Sequence, residues 1–554
     1  MMKRENIINK WSIPHRHAFM KGTGYSDEQI KKPLIGVLNA WGEINPAAGN
    51  LGHLTERIKS GVEASGGTPM EFCISSMCIG MAGGSRGASY GLAYRDIVAD
   101  YIEIISESNL FDGLIITSVC DDVVPAHLMA AARLNLPTIL VLGGYMPPRM
   151  HKGKLRYAAQ IGSAYGELQK GTISQAEYKE LEDIVCGNSG ACPIMGTANT
   201  MGAIAETLGM TLPGNSTMSG VDPSIGRLAY DAGSQIVHLV DEGIRSADLM
   251  TEESFKNAIR VFLALGGSTN ALIHLPAVAY EIGLPLPLTL FDSLSKQTPY
   301  LCDIKPCGQY TMKEFDEAGG LPALINEMLP VLNGETLTVT GKTLAENNKN
   351  AKVLNPDIIH SLSGPIMKEG GVAILSGTLA PNGAVVKVSG VAKGRLTKKG
   401  PAKVFDSEKQ ACDSLLNNEI NPGDIVVIRY VGPKGDPGMR ITARFSWILS
   451  GMNLSDDIVM ITDGRFSGTN EGGAIGHVSP EASVGGPIAL VQNGDMIEVN
   501  IPNRKVDLLV AEKELERRRS LWRPQKDRYR KGLLSRISGT ILPVEDGAVL
   551  KRHF

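Results

Sequence analysis

The chain has 554 residues, enough for two or more domains with a large buried core. Its 55 lysines and arginines nearly balance 58 aspartates and glutamates, and a formal net charge of -3 favours neither nucleic acid nor a membrane surface as a partner. The basic start MMKRENIINKWSIPHRHAF has no apolar core, and no uninterrupted run of about 20 apolar residues follows, so a cytoplasmic protein is expected. Eight cysteines are too few for a disulfide scaffold at this length. Five of them, Cys73, Cys78, Cys120, Cys186 and Cys192, lie close enough in sequence to permit a metal or cluster site.

Residues 1–32 are polar with aromatic anchors at Trp11 and Phe19. They read as an arm, either packed on a second subunit or disordered. KKPLIGVLNAW then reads as a strand, LGHLTERIKSGVEASGG as an amphipathic helix ended by a glycine pair, and TPMEFC as a second strand. After a glycine-rich loop and another helix, DGLIITSV reads as a buried parallel strand and PAHLMAAARLN as the helix behind it. The β-α alternation predicts a parallel sheet with helices on both faces. It also puts Cys120, Asp121 and Asp122 at a strand's carboxyl end, where open α/β sheets bind ligands. A soft thiolate beside hard carboxylates suits a metal or cluster on one side and a cation or substrate on the other. A small buried thiol with aspartates capping the next helix is the plainer alternative.

From about 151 to 350 the pattern is mainly helical. The loop CGNSGACPIMG carries Cys186 and Cys192 just before a helix, whose electropositive start would make Cys192 a thiolate, with a packed cysteine at a helix start as the equal alternative. LALGGSTNALIHL sets glycines and hydroxyls before another helix, a pattern that can bind a carboxylate or phosphate through backbone N–H groups. Near 365 the texture changes to short β-like runs separated by glycines: VAILSGTLA, GAVVKVSG, AKVF, DIVVIRYVG, DIVMITDG, PIALVQNGD, MIEVNIP and KVDLLVA. They predict a barrel or sandwich. The expected division is an arm over 1–32, an α/β domain over 33–365, and a β domain over 366–554 that ends in a charged helix. Within the last domain, ITDGRFSGTNEGGAIGHVSPE presents Ser467 between Gly464 and Gly468 after a strand. A serine hydroxyl needs activation by a base or metal. No local His-Asp pair is spaced for a hydrolase triad, and His477 is the nearest imidazole.

Over nearly its full length the chain resembles the family of dihydroxy-acid, phosphogluconate and sugar-acid dehydratases. The match runs through PLIGVLNAW, CDDVVPA, GACPIMGTANTM, ALGGSTNALIHL, GTLAPNGAVVKVSG, PGDIVVIRYVGPKGDPGMR and ITDGRFSG with GHVSPEASVGGPIALVQNGDMIEVN. The resemblance implies an N-terminal α/β domain and a C-terminal β-barrel, assembled as a homodimer or dimer of dimers, acting on a small organic acid. It implies dehydration of a 2,3-dihydroxy acid to a 2-keto acid. The implied cofactors are a 2Fe-2S or 4Fe-4S cluster on three cysteines and a magnesium ion, with a serine as base. By position, Cys120 and Cys192 match cluster cysteines, Asp121 a magnesium ligand and Ser467 the base. Other positions depart from the pattern. Ala47 stands for the first cluster cysteine, Ile79 for an aspartate, Asp122 for a lysine, Ile441 for a glutamate and Glu471 for an arginine. Two arrangements follow. In one the site is rebuilt, with Cys78 replacing the lost cysteine and Asp122 joining Asp121 on a cation. In the other a divergent paralogue lacks the cluster and performs different chemistry or only binds an organic acid.

Overall fold

The structure, a computed structural model, describes residues 9–467, 472–525 and 528–552. Its first sheet comprises β1 (Leu34–Asn39), β2 (Thr68–Cys73), β3 (Gly113–Ser118) and β4 (Thr138–Leu142). These pair in parallel in the order β2-β1-β3-β4, with Val37 opposite Ile115 and Ile115 opposite Ile139. Both β3 and β4 are buried along their whole length, so they read as continuous apolar runs rather than alternating ones. Parallel neighbours need crossovers, and the helices Leu51–Ala64, Gly91–Asn109 and Val123–Leu134 supply them. The crossover Leu51–Ala64 meets a second helix, Pro223–Glu242, at a pair of glycines. A Cβ on Gly61 would stand 2.1 Å from the Tyr230 carbonyl oxygen, and one on Gly233 would stand 2.1 Å from that of Ile58. The two backbones touch there, and alanine at either position would push the helices apart.

After a short hairpin, β5 (Arg149–His151) with β6 (Lys154–Arg156), the chain is mainly helical to residue 350, as expected. Helix Ala271–Glu281 packs on Val123–Leu134 and closes the layer behind the sheet. The preceding Ser268, Thr269 and Asn270 are fully buried. Thr200 Oγ1 accepts the Ser268 N–H at 2.9 Å, and Asn270 Nδ2 donates to Thr197 Oγ1 at 2.9 Å. Through these two bonds the loop ties its helix to Thr197–Thr207, while Thr269 Oγ1 and Asn270 Oδ1 are buried without a partner among the described residues.

The second sheet has eight strands: β7 (Ala373–Leu375), β8 (Gly383–Val386), β9 (Thr397–Phe405), β10 (Ile425–Ile428), β11 (Val459–Thr462), β12 (Ala474–Ser479), β13 (Met496–Asn500) and β14 (Lys505–Leu508). Their order is β14-β13-β9-β10-β11-β12-β8-β7, with β9 to β12 parallel and the flanks antiparallel. Its two edges meet where the Ser376 N–H donates to the Arg504 carbonyl at 2.9 Å and the Val506 N–H to that of Ser376 at 3.2 Å. The sheet thus curls into a nearly closed barrel. Two runs differ from expectation. PIAL forms the helical turn Pro487–Leu490, since proline at the first helical position presets its φ. Conversely, the polar, glycine-rich stretch ITDGRFSGTNEGGAIGHVSPE, which reads as a loop, contains β12. The arm holds helices Ser12–Gly22 and Asp27–Lys31, and Trp11 and Phe19 are exposed. Among the described residues no helix is long and apolar enough to cross a membrane.

Candidate active site

Both sheets deliver their strand ends to one cavity of about 340 Å³. The first sheet contributes Asn45 and Ala47 after β1, Cys78 and Ile79 after β2, Cys120 and Asp121 after β3, and Met146 after β4. Cys186 and Cys192 enter from the loop before helix Thr197–Thr207. From the second sheet come Ile441, Arg444 and Trp447, and Ser467 after β11. Most of these side chains lie at the carboxyl ends of parallel strands, the place that the β-α alternation predicts for a ligand.

Cys120 holds a left-handed backbone, φ 83°, which costs a non-glycine residue about 1–2 kcal/mol. That turn aims its thiol at Cys78. Cys78 precedes the helical turn Ile79–Ala82 and receives the N–H groups of Gly80 and Met81. The hydrogen bond from Cys120, with those backbone donors, lowers the Cys78 thiol to about 6 against the effect of burial. The same bond, and burial, push Cys120 well above the ordinary thiol value. Cys192 opens onto the cavity wall but lies deep within surrounding protein, and desolvation raises it to about 12, with Asp121 and Cys78 adding to the shift. The expected lowering at a helix start fails because the helix begins only at Thr197 and Gly196, not Cys192, precedes it. Asn199 Nδ2 donates to the carbonyls of Cys192 and Ile194, both at 2.7 Å, and so holds this loop against the helix.

The two aspartates diverge. Asp121 lines the cavity, and burial, then Asp122 and Cys78, raise it to about 7 against Arg465 and the Ala198 N–H. Asp122 points away into the junction between the sheets, where Arg465 Nη1 donates to its Oδ1 at 2.7 Å. Arg465 also donates through Nε to the Met439 carbonyl at 2.7 Å, and both side chains of the pair are buried. His274 Nε2 lies 3.6 Å from Asp122, but burial, Arg95 and Arg465 keep the imidazole neutral. The expected carboxylate pair for a cation is therefore split, because Arg465 holds one member. Sequence reasoning did not find this partner, although it lies within ITDGRFSG itself.

Ser467 is buried at the cavity wall. The stretch leading to it is held by Asp463, whose carboxylate accepts the N–H groups of Tyr430, Val431 and Ala482 at 3.0, 3.0 and 2.9 Å. His477 does not face the cavity. It is buried beside the Phe466 ring, 6.1 Å between centroids, and desolvation lowers it to about 3. Glu471 lies outside the described residues.

Residues 32–347 match the Dihydroxy-acid/6-phosphogluconate dehydratase N-terminal family, and residues 357–548 its C-terminal counterpart. The chain belongs to this family. A dihydroxy-acid dehydratase of Methanothrix thermoacetophila is 45% identical over 542 residues, 97% of this chain and 98% of its own. Those of Ruminiclostridium cellulolyticum and Methanosarcina barkeri are each 43% identical, over 99% of this chain and 100% of theirs.

Family membership implies an iron-sulfur cluster and magnesium, and the donor set treats them differently. A hard divalent cation asks for several oxygen ligands. Among the described residues the cavity offers one carboxylate, Asp121, with isoleucines at 79 and 441 and Asp122 committed to Arg465. Among the described residues no three His, Cys, Asp or Glu side chains are grouped to hold a single metal ion. Magnesium does not fit this site. Soft thiols are present in number: Cys78, Cys120, Cys186 and Cys192 all face the cavity. A cluster that sets each thiolate on a different iron draws on a more widely spaced set than one ion does.

Proposed function

We propose that the chain is a hydro-lyase that takes water from a 2,3-dihydroxy acid and leaves a 2-keto acid. The carrying observation is that Cys120 and Asp121 of the first sheet and Ser467 of the second face one cavity. In this reaction the C2 proton and the C3 hydroxyl leave together as water, and the enol that remains tautomerises to the ketone. Ser467 Oγ would take the C2 proton as it passes its own hydroxyl proton to the departing C3 oxygen, which leaves as water and restores the serine hydroxyl. Asp121 would hold a substrate hydroxyl through a hydrogen bond, and the walls formed by Ile79, Met81, Ile441 and Trp447 would exclude water. Cys78, Cys120 and Cys192 would hold the cluster, which when bound supplies a Lewis acid for the departing hydroxyl. Contact between Cys78 and Cys120 supports Cys78 as the thiol that stands in for the one absent at Ala47. The exposed Trp11 and Phe19 support an arm that packs on a second copy in a homodimer.

Anaerobic purification followed by iron, sulfide and visible-absorbance measurements tests this reading together with a screen of 2,3-dihydroxy acids for 2-keto acid formation. Iron and sulfide in the wild-type chain, and their loss on Cys78→Ser, are expected. A wild-type protein free of iron that produces no keto acid would overturn it.

A further inference from the structure

We propose that Arg444 binds the carboxylate of the organic acid, doing for this chain what a magnesium ion would do at the site that family membership implies. The inference rests on the organic-acid reading of the cavity. Among the described residues lining that cavity Arg444 is the one cationic side chain, set against the Asp121 carboxyl and the lowered Cys78 thiol. Ile79, Met81, Ile441 and Trp447 make much of the remaining wall apolar, and a carboxylate entering such a space needs a charged partner. Asp121 would repel it. Arg444 offers the planar pair of donors that matches a carboxylate.

The place of Arg444 is built by its surroundings. Its guanidinium lies over the Gly83–Gly84 turn: a Cβ on Gly83 would stand 2.5 Å from Nη2, and one on Gly84 2.9 Å from Cζ. Gly84 also has φ 74°, which a side chain would strain. Among the described residues its ion-pair partner is Glu408, only at 4.0 Å, and Glu408 already accepts the backbone N–H of Arg444 at 2.8 Å. The guanidinium thus has no closer ionic partner among the described residues, and its donors stay available to a ligand. An independent observation marks the same cavity as a place for a polar ligand. Asn45, a residue of the same cavity, is buried; its Oδ1 accepts the Ala47 N–H at 3.0 Å, and its Nδ2 has no partner among the described residues. A buried donor of this kind calls for an acceptor, and the hydroxyl or keto oxygen of a bound acid supplies one.

The test measures equilibrium binding of 2-oxobutanoate and of its uncharged amide, 2-oxobutanamide, to the full-length chain in EDTA and again with magnesium. The acid is expected to bind without magnesium, about tenfold or more tighter than the amide, and Arg444→Gln is expected to erase that preference. Gly83→Ala, which displaces the guanidinium while leaving it in the chain, should weaken the acid and spare the amide. Binding that requires magnesium, an unchanged affinity in Arg444→Gln, or no binding of the acid to the wild type would each overturn the inference. Its failure is separable from failure of the dehydratase reading. Arg444-dependent binding without keto acid formation from 2,3-dihydroxybutanoate sinks the dehydratase and keeps the inference, and turnover with unchanged Arg444→Gln affinity does the reverse.

Discussion

A serine hydroxyl is a weak base unless its surroundings help it, so much depends on how Ser467 is held. The residues before it are anchored: Asp463 by three backbone donors, Arg465 by Asp122 and Met439, and Phe466 by complete burial. Ser467→Ala removes one oxygen from a cavity wall and leaves that scaffold intact. The fold and the affinity for 2,3-dihydroxybutanoate should persist while kcat falls roughly 10²–10⁴-fold, the usual worth of a positioned proton acceptor. Steady-state kcat and KM decide the matter, and a kcat near the wild-type value would remove Ser467 from the proton transfer. Cys120 shows a different logic at the same scale. Its left-handed backbone is the local strain that turns its thiol toward Cys78, a cost accepted where a side chain must be aimed.

The helix Val123–Leu134 carries the Cys120–Asp122 turn, and its burial makes it sensitive to pH. His127 lies on it fully buried, with Nδ1 at 2.9 Å from Ser118 Oγ and Nε2 without a partner among the described residues. Desolvation lowers its pKa to about 3 from 6.5. Below 6.5 the unfolded chain binds a proton that the folded chain refuses, so this group withdraws stability as pH falls from about 6.5 toward 3, by at most about 1.4 kcal/mol per pH unit. The difference in unfolding midpoint between about pH 7 and about pH 5 should therefore shrink in His127→Gln relative to wild type. An unchanged difference would mean that His127 is not held neutral. Such elements were legible in the sequence because local pattern determines them: β3 and its helix follow from an apolar run and a 3.6-residue stripe. Long-range effects were not. Asp122 and Arg465 meet across 343 positions, and no local spacing announces Arg444 over Gly83 and Gly84. Likewise PIAL read as a strand because four apolar residues fit either state, and only the proline at its first position pointed to a helical turn.

At the scale of the molecule, the buried Asp122–Arg465 pair joins the turn after β3 to the loop after β11, behind the cavity that both sheets line. The resemblance puts a lysine where Asp122 stands, which raises the question of whether that residue could return. It could not do so by itself. Removing one member of a buried pair costs about 3–5 kcal/mol through the charge left behind, and a lysine would add a second cation to the same site. Asp122→Lys should therefore lower the unfolding midpoint more than Asp122→Asn, and should leave the junction open to limited proteolysis. Reversing both charges, Asp122→Lys with Arg465→Asp, should recover part of the loss, since it restores an opposite-charge pair, although Met439 then loses its donor. If Asp122→Lys melts like the wild type, the pair does not join the sheets. If the double variant is no better than the single one, the hydrogen bonds of Arg465 to the backbone outweigh its charge. The expected order, with the double variant between the single one and the wild type, would mean that the identity of residue 122 is set by Arg465 across the junction rather than by a cation in the cavity.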